Sequence, residues 1–331
     1  MRIAITPRYG PPSILQLTEA DAPTIGDNDL LVAVHASPVT AGDRRIRAAD
    51  FPGISAVFGR LIMGLTGPRQ PVQGTMFAGR VVAVGSSVTR FAVGDDVFGS
   101  VDAGAYAEQL VVSADGPVAM MPSGVGYAEA AAIPYGAGTA LHFLAELADV
   151  QPGESVLILG ASGGVGRYAV QIAKHLGAQV TAVCSRRSFE LVAGLGADHL
   201  IDHATEDFTA STTCYDVIFD VADATNFHRC RDSLTPTGRY LTLYISVQAL
   251  MISAWTAMVG GKRAIFAVSM GNQARTEVQR DLLAQGVIRP VIAERFSLEQ
   301  VAAAHTLAET GVHGEVMVMP APEPARLATG C

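Results

Sequence analysis

Charge is scarce in this chain of 331 residues: Asp, Glu, Lys and Arg together make 16%, against ~25% in an average soluble domain. Beside 49% hydrophobic residues, that scarcity excludes a wholly disordered or highly solvated chain. Basic residues number 23 against 31 acidic ones, a net charge of −8, and no Lys/Arg block exceeds the pairs Arg44–Arg45 and Arg186–Arg187. A nucleic-acid binder presents a basic face, so DNA and RNA are disfavoured as partners. Cysteine is also sparse. Cys184, Cys214, Cys230 and Cys331 are widely spaced and none forms a CxxC pair, which argues against a zinc knuckle or a disulfide framework. The start, MRIAITPRYGPP, lacks the long apolar run of a secretory signal, and a reducing cytoplasm is the expected compartment. One uncharged stretch, residues 240–261, is long enough to span a membrane. It carries Thr242, Ser246, Gln248, Ser253, Thr256 and Gly260–Gly261, and reads instead as a buried strand and then a helix packed in the core or a subunit interface.

Glycine, by contrast, is plentiful: 34 residues, which implies many tight turns and close backbone approaches. The length suggests two domains. The first third reads as short strands between Gly/Asp/Ser turns, namely LLVAVHAS (30–37), GRVVAVG (79–85), VGDDVFG (93–99) and AYAEQLVV (105–112), a pattern that suggests a small barrel. Residues 50–74 read as a long loop with about one helical turn. Residues 127–133 and 138–147 read as helical stretches on either side of Pro134. Then strands alternate with helices: SVLIL (155–159), an amphipathic helix over 165–176, QVTAVC (179–184), a helix over 189–195, HLID (199–202), YDVIFDV (215–221), a helix over 227–234 and RYLTL (239–243) after the turn TPTG. Apolar strands alternating with helices imply a parallel sheet covered on both faces. Beyond residue 271 come helices over 276–284 and 298–310, strands PVIAERF and EVMVMP, and a frayed tail after Pro320.

The segment that carries chemistry is VLILGASGGVGRYAVQIAKHLGAQVTAVCSRRS. An apolar strand runs into Ala161-Ser162-Gly163-Gly164-Val165-Gly166, then a helix, then a second strand. This is a variant of the dinucleotide fingerprint with Ala161 in place of the first glycine. Gly163 lets the backbone approach a pyrophosphate, Gly166 allows close helix–strand packing, and the helix N-terminus offers N–H groups and a positive dipole end. The end of the second strand decides the cofactor. An NAD site places Asp or Glu there for the ribose hydroxyls; here the chain reads Cys184-Ser185-Arg186-Arg187-Ser188. Forked guanidinium donors match a phosphate, so the sequence favours NADPH.

These motifs resemble the medium-chain dehydrogenase/reductase superfamily, in its zinc-independent branch with the quinone oxidoreductases and enone and enoyl reductases. The resemblance rests on GTMFAGRVVAVG (74–85), FAVGDDVFG (91–99), GAYAEQLVV (104–112), AAAIPYGAGTALHFL (130–144), VQPGESVLILGASGGVG (150–166) and LGADHLIDH (195–203), in that succession. It implies an α/β chain: a GroES-like β-rich domain over 1–122 and 271–331, interrupted by a Rossmann doubly wound parallel sheet over 123–270, with NADPH in the cleft between them. It places Thr139 against the nicotinamide, Leu243 and Tyr244 in the segment lining the nicotinamide pocket, Phe266 to Val268 near a second wall, and Val221 near the adenosine ribose. Each of these could equally be plain core. The apolar segment 241–269 suits a homodimer, the association common in the family.

Catalytic zinc needs a Cys/His set with one open position. Where zinc-dependent members carry ligands, this chain reads Pro38-Val39-Thr40-Ala41-Gly42-Asp43 and Gly74-Thr75-Met76-Phe77-Ala78-Gly79, so no metal is expected. Thr40 stands where the zinc-free members usually have Asn, and the Tyr that some carry a little later is absent. Thr40 and Asp43 are candidates to shape the nicotinamide pocket and Tyr135 to orient a carbonyl; for Asp43, a buried structural acceptor is an equal alternative. The expectation is an NADPH-dependent oxidoreductase passing hydride to a small apolar quinone or enone. The rivals are an alcohol/aldehyde dehydrogenase, which without zinc lacks its Lewis acid, and a non-catalytic, crystallin-like NADPH-binding protein.

Overall fold

A computed structural model describes residues 1–51, 55–244 and 246–321. Cys331, the tail beyond residue 321 and part of the 50–74 segment lie outside the described residues. In chain order the elements are β1 (Arg2–Ile5), β2 (Gln16–Glu19), β3 (Asp29–Pro38), α1 (Ala41–Ala48), α2 (Ser55–Met63), β4 (Met76–Val84), β5 (Asp96–Ser100), β6 (Gln109–Ser113), β7 (Val118–Met120), α3 (Tyr127–Leu141), β8 (Ser155–Leu159), α4 (Gly166–His175), β9 (Gln179–Cys184), α5 (Phe189–Gly194), β10 (His199–Asp202), β11 (Tyr215–Asp220), α6 (Phe227–Cys230), β12 (Leu234–Thr242), α7 (Val247–Val259), β13 (Arg263–Phe266), α8 (Gln273–Ala284), β14 (Ile292–Ser297), α9 (Val301–Glu309) and β15 (Glu315–Met319). Among the described residues they form two compact units, one of Met1–Ala48, Thr66–Ala132 and the chain from Ile292 to residue 321, the other of Ala49–Leu65 and Ile133–Val291.

The first unit is β-rich. Its main sheet runs β14-β15-β3-β4-β5-β7, with β6 also on β3, and β1 and β2 form a separate antiparallel pair. The alternation in β3 explains its central place: Leu30, Val32 and Val34 are wholly buried, and they pack with Phe77, Val81 and Val97. Its end, Ser37 and Pro38, pairs antiparallel with Val318 and Met317 of β15. The strand expected from residue 105 begins at Gln109 instead. The backbone before it is bonded elsewhere, with Tyr106 donating to Gln73 O at 2.9 Å and Glu108 to Arg2 O at 3.1 Å.

The second unit is a parallel sheet in the order β10-β9-β8-β11-β12-β13, flanked by helices. In sheet order this is 3-2-1-4-5-6, the doubly wound dinucleotide arrangement, with its topological switch between β8 and β11. β8 and β11 are near-continuous apolar runs because both faces are covered. TPTG is not a separate turn but lies within β12 as a bulge, where pairing with β11 jumps from Leu234 opposite Tyr215 to Arg239 opposite Val217.

Three other expectations are corrected here. Pro134 does not divide two helices; α3 runs through it and continues as a π-helical turn, His142–Leu147. A proline in a helix interior costs one hydrogen bond and ~3 kcal/mol. Burial of Ala130, Ala131, Ile133, Ala137 and Ala140 on several sides of α3 holds the helix despite that cost. The helix expected over 227–234 is one α-turn, Phe227–Cys230, followed by a 3-10 turn, Arg231–Ser233. The 50–74 segment holds a nine-residue helix, α2, where about one turn was read. The helix read after the strand of 240–261 is α7: Ile252 packs against the second unit's core and Thr256 is buried, while Trp255 is 53% and Met258 87% exposed. Among the described residues no helix is long and apolar enough to cross a membrane.

Candidate functional site

The loop after β8 is shaped by its own backbone. The N–H groups of Gly160 and Ala161 both donate to Val183 O of β9 at 3.1 Å, and Gly163 N donates to Gly160 O at 2.9 Å. α4 then starts with Val165 at its N-cap, with no side-chain cap and no acid in its first turn. An uncapped helix N-terminus presents donors and a positive dipole end, the conditions for an anion. Two glycines in the loop differ in what holds them. A Cβ on Gly166 would lie 2.2 Å from Gly160 O and 2.7 Å from Ala161 Cα, so strand-to-helix packing requires glycine there. A Cβ on Gly163 would meet only Gly160 O, at 3.2 Å; the protein itself leaves that side open.

Next along the sheet, Ser185, Arg186 and Arg187 follow β9 directly. Ser185 Oγ lies 3.0 Å from Ser188 Oγ, and the Arg186 guanidinium stacks over the Phe189 ring at 5.2 Å. Both arginines are exposed and no carboxylate stands in this turn. Cys184 beneath it is buried, which pushes its thiol up to about 11.

Asp220, at the end of β11, was not singled out from the sequence. It is fully buried and accepts from Ala222 N at 3.0 Å, Ala224 N at 3.1 Å, Thr225 N at 2.9 Å and Tyr240 Oη at 3.2 Å. Burial raises its pKa above the ordinary carboxylate range, against those bonds. The carboxyl thus folds the following loop over the end of the strand, just after Val221 N extends the ladder by donating to Leu159 O at 3.2 Å. Tyr244 Oη in turn donates to Val221 O at 3.3 Å. A side chain on Gly160 would strike Ala222 Cβ at 2.7 Å. The structure therefore brings the loop 160–166, Val221 and Tyr244 together at the carboxyl ends of β8, β9, β11 and β12. Tyr244 and Phe266 also line a cavity of about 260 Å³ with Thr225, Tyr240 and Thr242. Leu243 is half-buried and Val268 exposed. The signal that could have found Asp220 is an acid closing the apolar run Val217-Ile218-Phe219.

Tyr135 and Thr139 lie on one face of α3, where the Thr139 hydroxyl donates to Tyr135 O at 2.7 Å. In the first unit, Thr40 and Asp43 form a capping box at the start of α1. Thr40 N and Oγ1 donate to Asp43 Oδ2 at 2.9 and 2.6 Å, and Asp43 N donates to Thr40 Oγ1 at 3.1 Å. Thr75 Oγ1 donates to the other carboxyl oxygen at 3.1 Å. Burial raises the Asp43 pKa, and the hydrogen bonds from Thr40 oppose that rise.

Two family models match the chain: the alcohol dehydrogenase GroES-like domain over residues 26–142, and a zinc-binding dehydrogenase model over 195–314. A quinone-oxidoreductase homologue of spinach (Spinacia oleracea) chloroplasts is 33% identical over 258 residues, covering 72% of this chain and 78% of the relative. A 2-methylene-furan-3-one reductase of tomato (Solanum lycopersicum) is 29% identical over 329 residues, 95% of this chain and 78% of that one. The solved quinone oxidoreductase of Coxiella burnetii superposes with a TM-score of 0.83 at 27% identity, over 96% of this chain and 99% of that one. Residues 38–43 and 74–79 contain neither Cys nor His, and among the described residues no three His, Cys, Asp or Glu group together to hold a metal ion.

Proposed function

As the chain belongs to the medium-chain dehydrogenase/reductase superfamily, in its quinone-oxidoreductase-like branch, and is thereby a nicotinamide-dependent oxidoreductase, we propose that it is an NADPH-dependent, zinc-independent reductase of small apolar quinones or α,β-unsaturated carbonyls. The observation that carries the reading is the acid-free turn Ser185–Arg186–Arg187, directly after β9 and bonded through Val183 to the uncapped glycine loop. NADPH, when bound, supplies the hydride; the chain's residues bind, orient and exclude water. The loop Ala161–Gly166 holds the diphosphate on backbone N–H groups. Ser185, Arg186 and Arg187 hold the 2′-phosphate, where charge-assisted bonds are worth ~1.5–3 kcal/mol each. Val221 lies along the ribose, while Thr139, Leu243, Tyr244, Phe266 and Val268 wall the nicotinamide and keep water away. Tyr135 orients the acceptor carbonyl, and the Thr40–Asp43 pair shapes the acceptor side. The acceptor class is supported by the quinone and methylene-furanone names of the relatives.

The reading extends to a reducing, cytoplasmic compartment, in keeping with the free thiols of Cys184, Cys214 and Cys230. It extends also to a homodimer through the exposed α7 face beside the edge strand β13. The test of the central reading is a titration of NADPH and NADH against wild type, Arg186→Ala and Arg187→Ala, with an acceptor screen. NADPH is expected to bind more tightly than NADH, and loss of a phosphate contact to weaken NADPH about tenfold or more while sparing NADH. Equal affinities in the wild type, or equal weakening of both cofactors in both variants, would overturn it.

A further inference from the structure

Arg275 lies in the first turn of α8 and is only 7% exposed, yet its guanidinium serves two separate segments of the second unit. Nε and Nη2 close a fork on Glu146, at 2.8 Å to Oε1 and 2.7 Å to Oε2. Glu146 belongs to the π-helical turn His142–Leu147 that follows Thr139, a turn marked by Ala148 N donating to Phe143 O at 2.9 Å, five residues back. Nη2 also lies 3.0 Å from His142 Nδ1. Nη1 donates to Met270 O at 2.7 Å, in the segment that follows β13 and Phe266–Val268. One turn further along α8, Gln279 Nε2 reaches Pro134 O at 3.4 Å. Gly138 permits this approach, since a Cβ there would lie 2.5 Å from Gln279 Nε2.

The two stretches assigned above as walls of the nicotinamide pocket, Thr139 on α3 and Phe266–Val268 after β13, are distant in sequence. One buried guanidinium spans from the continuation of the first to the continuation of the second. Its planar donors fix angle as well as distance, which a lysine ammonium cannot do. The π-turn widens the helix by one residue and recurs at functional sites; here its Glu146 is the group that Arg275 grips. That fork, with His142, holds the Glu146 carboxyl down at about 2.

We propose that Arg275 is a positioning residue that sets the spacing between Thr139 and the 266–270 segment, and so the placing of the nicotinamide. The proposal rests on the cofactor reading above. Arg275→Lys keeps the charge and loses the fork; Glu146→Gln, at a half-exposed position, is a milder change that keeps the fold should the first not. In either variant, hydrogen exchange of the ligand-free protein is expected to quicken at 142–147 and 266–270 and to stay unchanged at 186–203. The kcat for NADPH-coupled reduction is expected to fall tenfold to about a hundredfold, the scale of a displacement of ~1 Å at reacting groups. Binding of adenosine 2′,5′-bisphosphate, which uses only the Ser185–Arg187 end, is expected to be unchanged. Quickened exchange with unaltered kcat in both variants would reduce Arg275 to a structural brace and overturn the proposal, as would kcat and bisphosphate binding falling together. Wild-type protein that binds no nicotinamide nucleotide would overturn the cofactor reading itself, and this proposal with it.

Discussion

His305 on α9 is buried to its last atom, and among the described residues neither ring nitrogen has a hydrogen-bond partner. Tyr106 meets it edge-on at 5.6 Å. Burial, with repulsion from Arg47 and Arg44, lowers its pKa from 6.5 to about 3. Protons therefore bind the unfolded chain more readily than the folded one between those values. Stability is full above pH 6.5 and drains as pH falls toward 3, by about 3 kcal/mol at pH 4 from this one group. Urea unfolding of wild type and His305→Leu at pH 7 and pH 4 checks this: the variant is expected to lose less stability on acidification. Equal losses would show that other groups govern the acid limb. At this scale the sequence reveals residue types but not their partners. Thr40 and Asp43 stand at capping-box spacing, and the bonds between them became visible only with the backbone of α1 in place. His305 gave no local sign, because its surroundings are assembled from strands and helices far apart in the chain.

Elements were legible where one physical signal dominated. SVLIL, QVTAVC and HLID match β8, β9 and β10 to the residue; for β8 the signal is an unbroken apolar run between turn residues, the mark of a buried parallel strand. α3 and α2 were misjudged because proline and glycine were weighed as local punctuation, whereas apolar burial kept α3 continuous. The glycine loop offers an element-scale test of the distinction drawn above. Gly166→Ala forces backbone atoms apart and is expected to cost several kcal/mol or prevent folding. Gly163→Ala has only one protein neighbour to displace, so thermal stability is expected to change by less than about 1 kcal/mol while NADPH binding drops tenfold or more. Calorimetry and cofactor titration on both variants decide it. If Gly163→Ala binds NADPH as wild type does, the phosphates do not approach the loop backbone at residue 163.

On the whole molecule, the widest unexplained feature is the apolar face of α7. Val247, Leu250, Met251, Trp255 and Met258 are all exposed, and β13 beside it pairs only with β12 among the described strands. Trp255→Glu combined with Met258→Glu is expected to turn a dimer into a monomer in sedimentation velocity, with NADPH affinity in the second unit retained. Wild type sedimenting as a monomer at micromolar concentration would remove the homodimer from the reading. The segment 240–261 was recognised from the sequence as a strand and a helix packed in the core or a subunit interface rather than a span; which of the two was not legible, since a period-3.6 pattern needs polar residues to mark a solvent side and this helix has almost none.

The discontinuity of the first unit bears on how the chain comes off the ribosome. Ser37 and Pro38 of β3 find their sheet partners only in Met317 and Val318 of β15. Roughly 280 residues separate these strands, so at ~5–20 residues per second the strand end waits on the order of 15–55 s for its mate. The second unit is nearly contiguous, Ile133–Val291 with one short excursion, and its parallel strands are all available before β15 exists. The nascent protein therefore passes through a stage in which every strand of the parallel sheet has been made while the first unit still carries an open sheet edge at the end of β3. That edge, rather than either finished unit, is where a holding chaperone has most to protect.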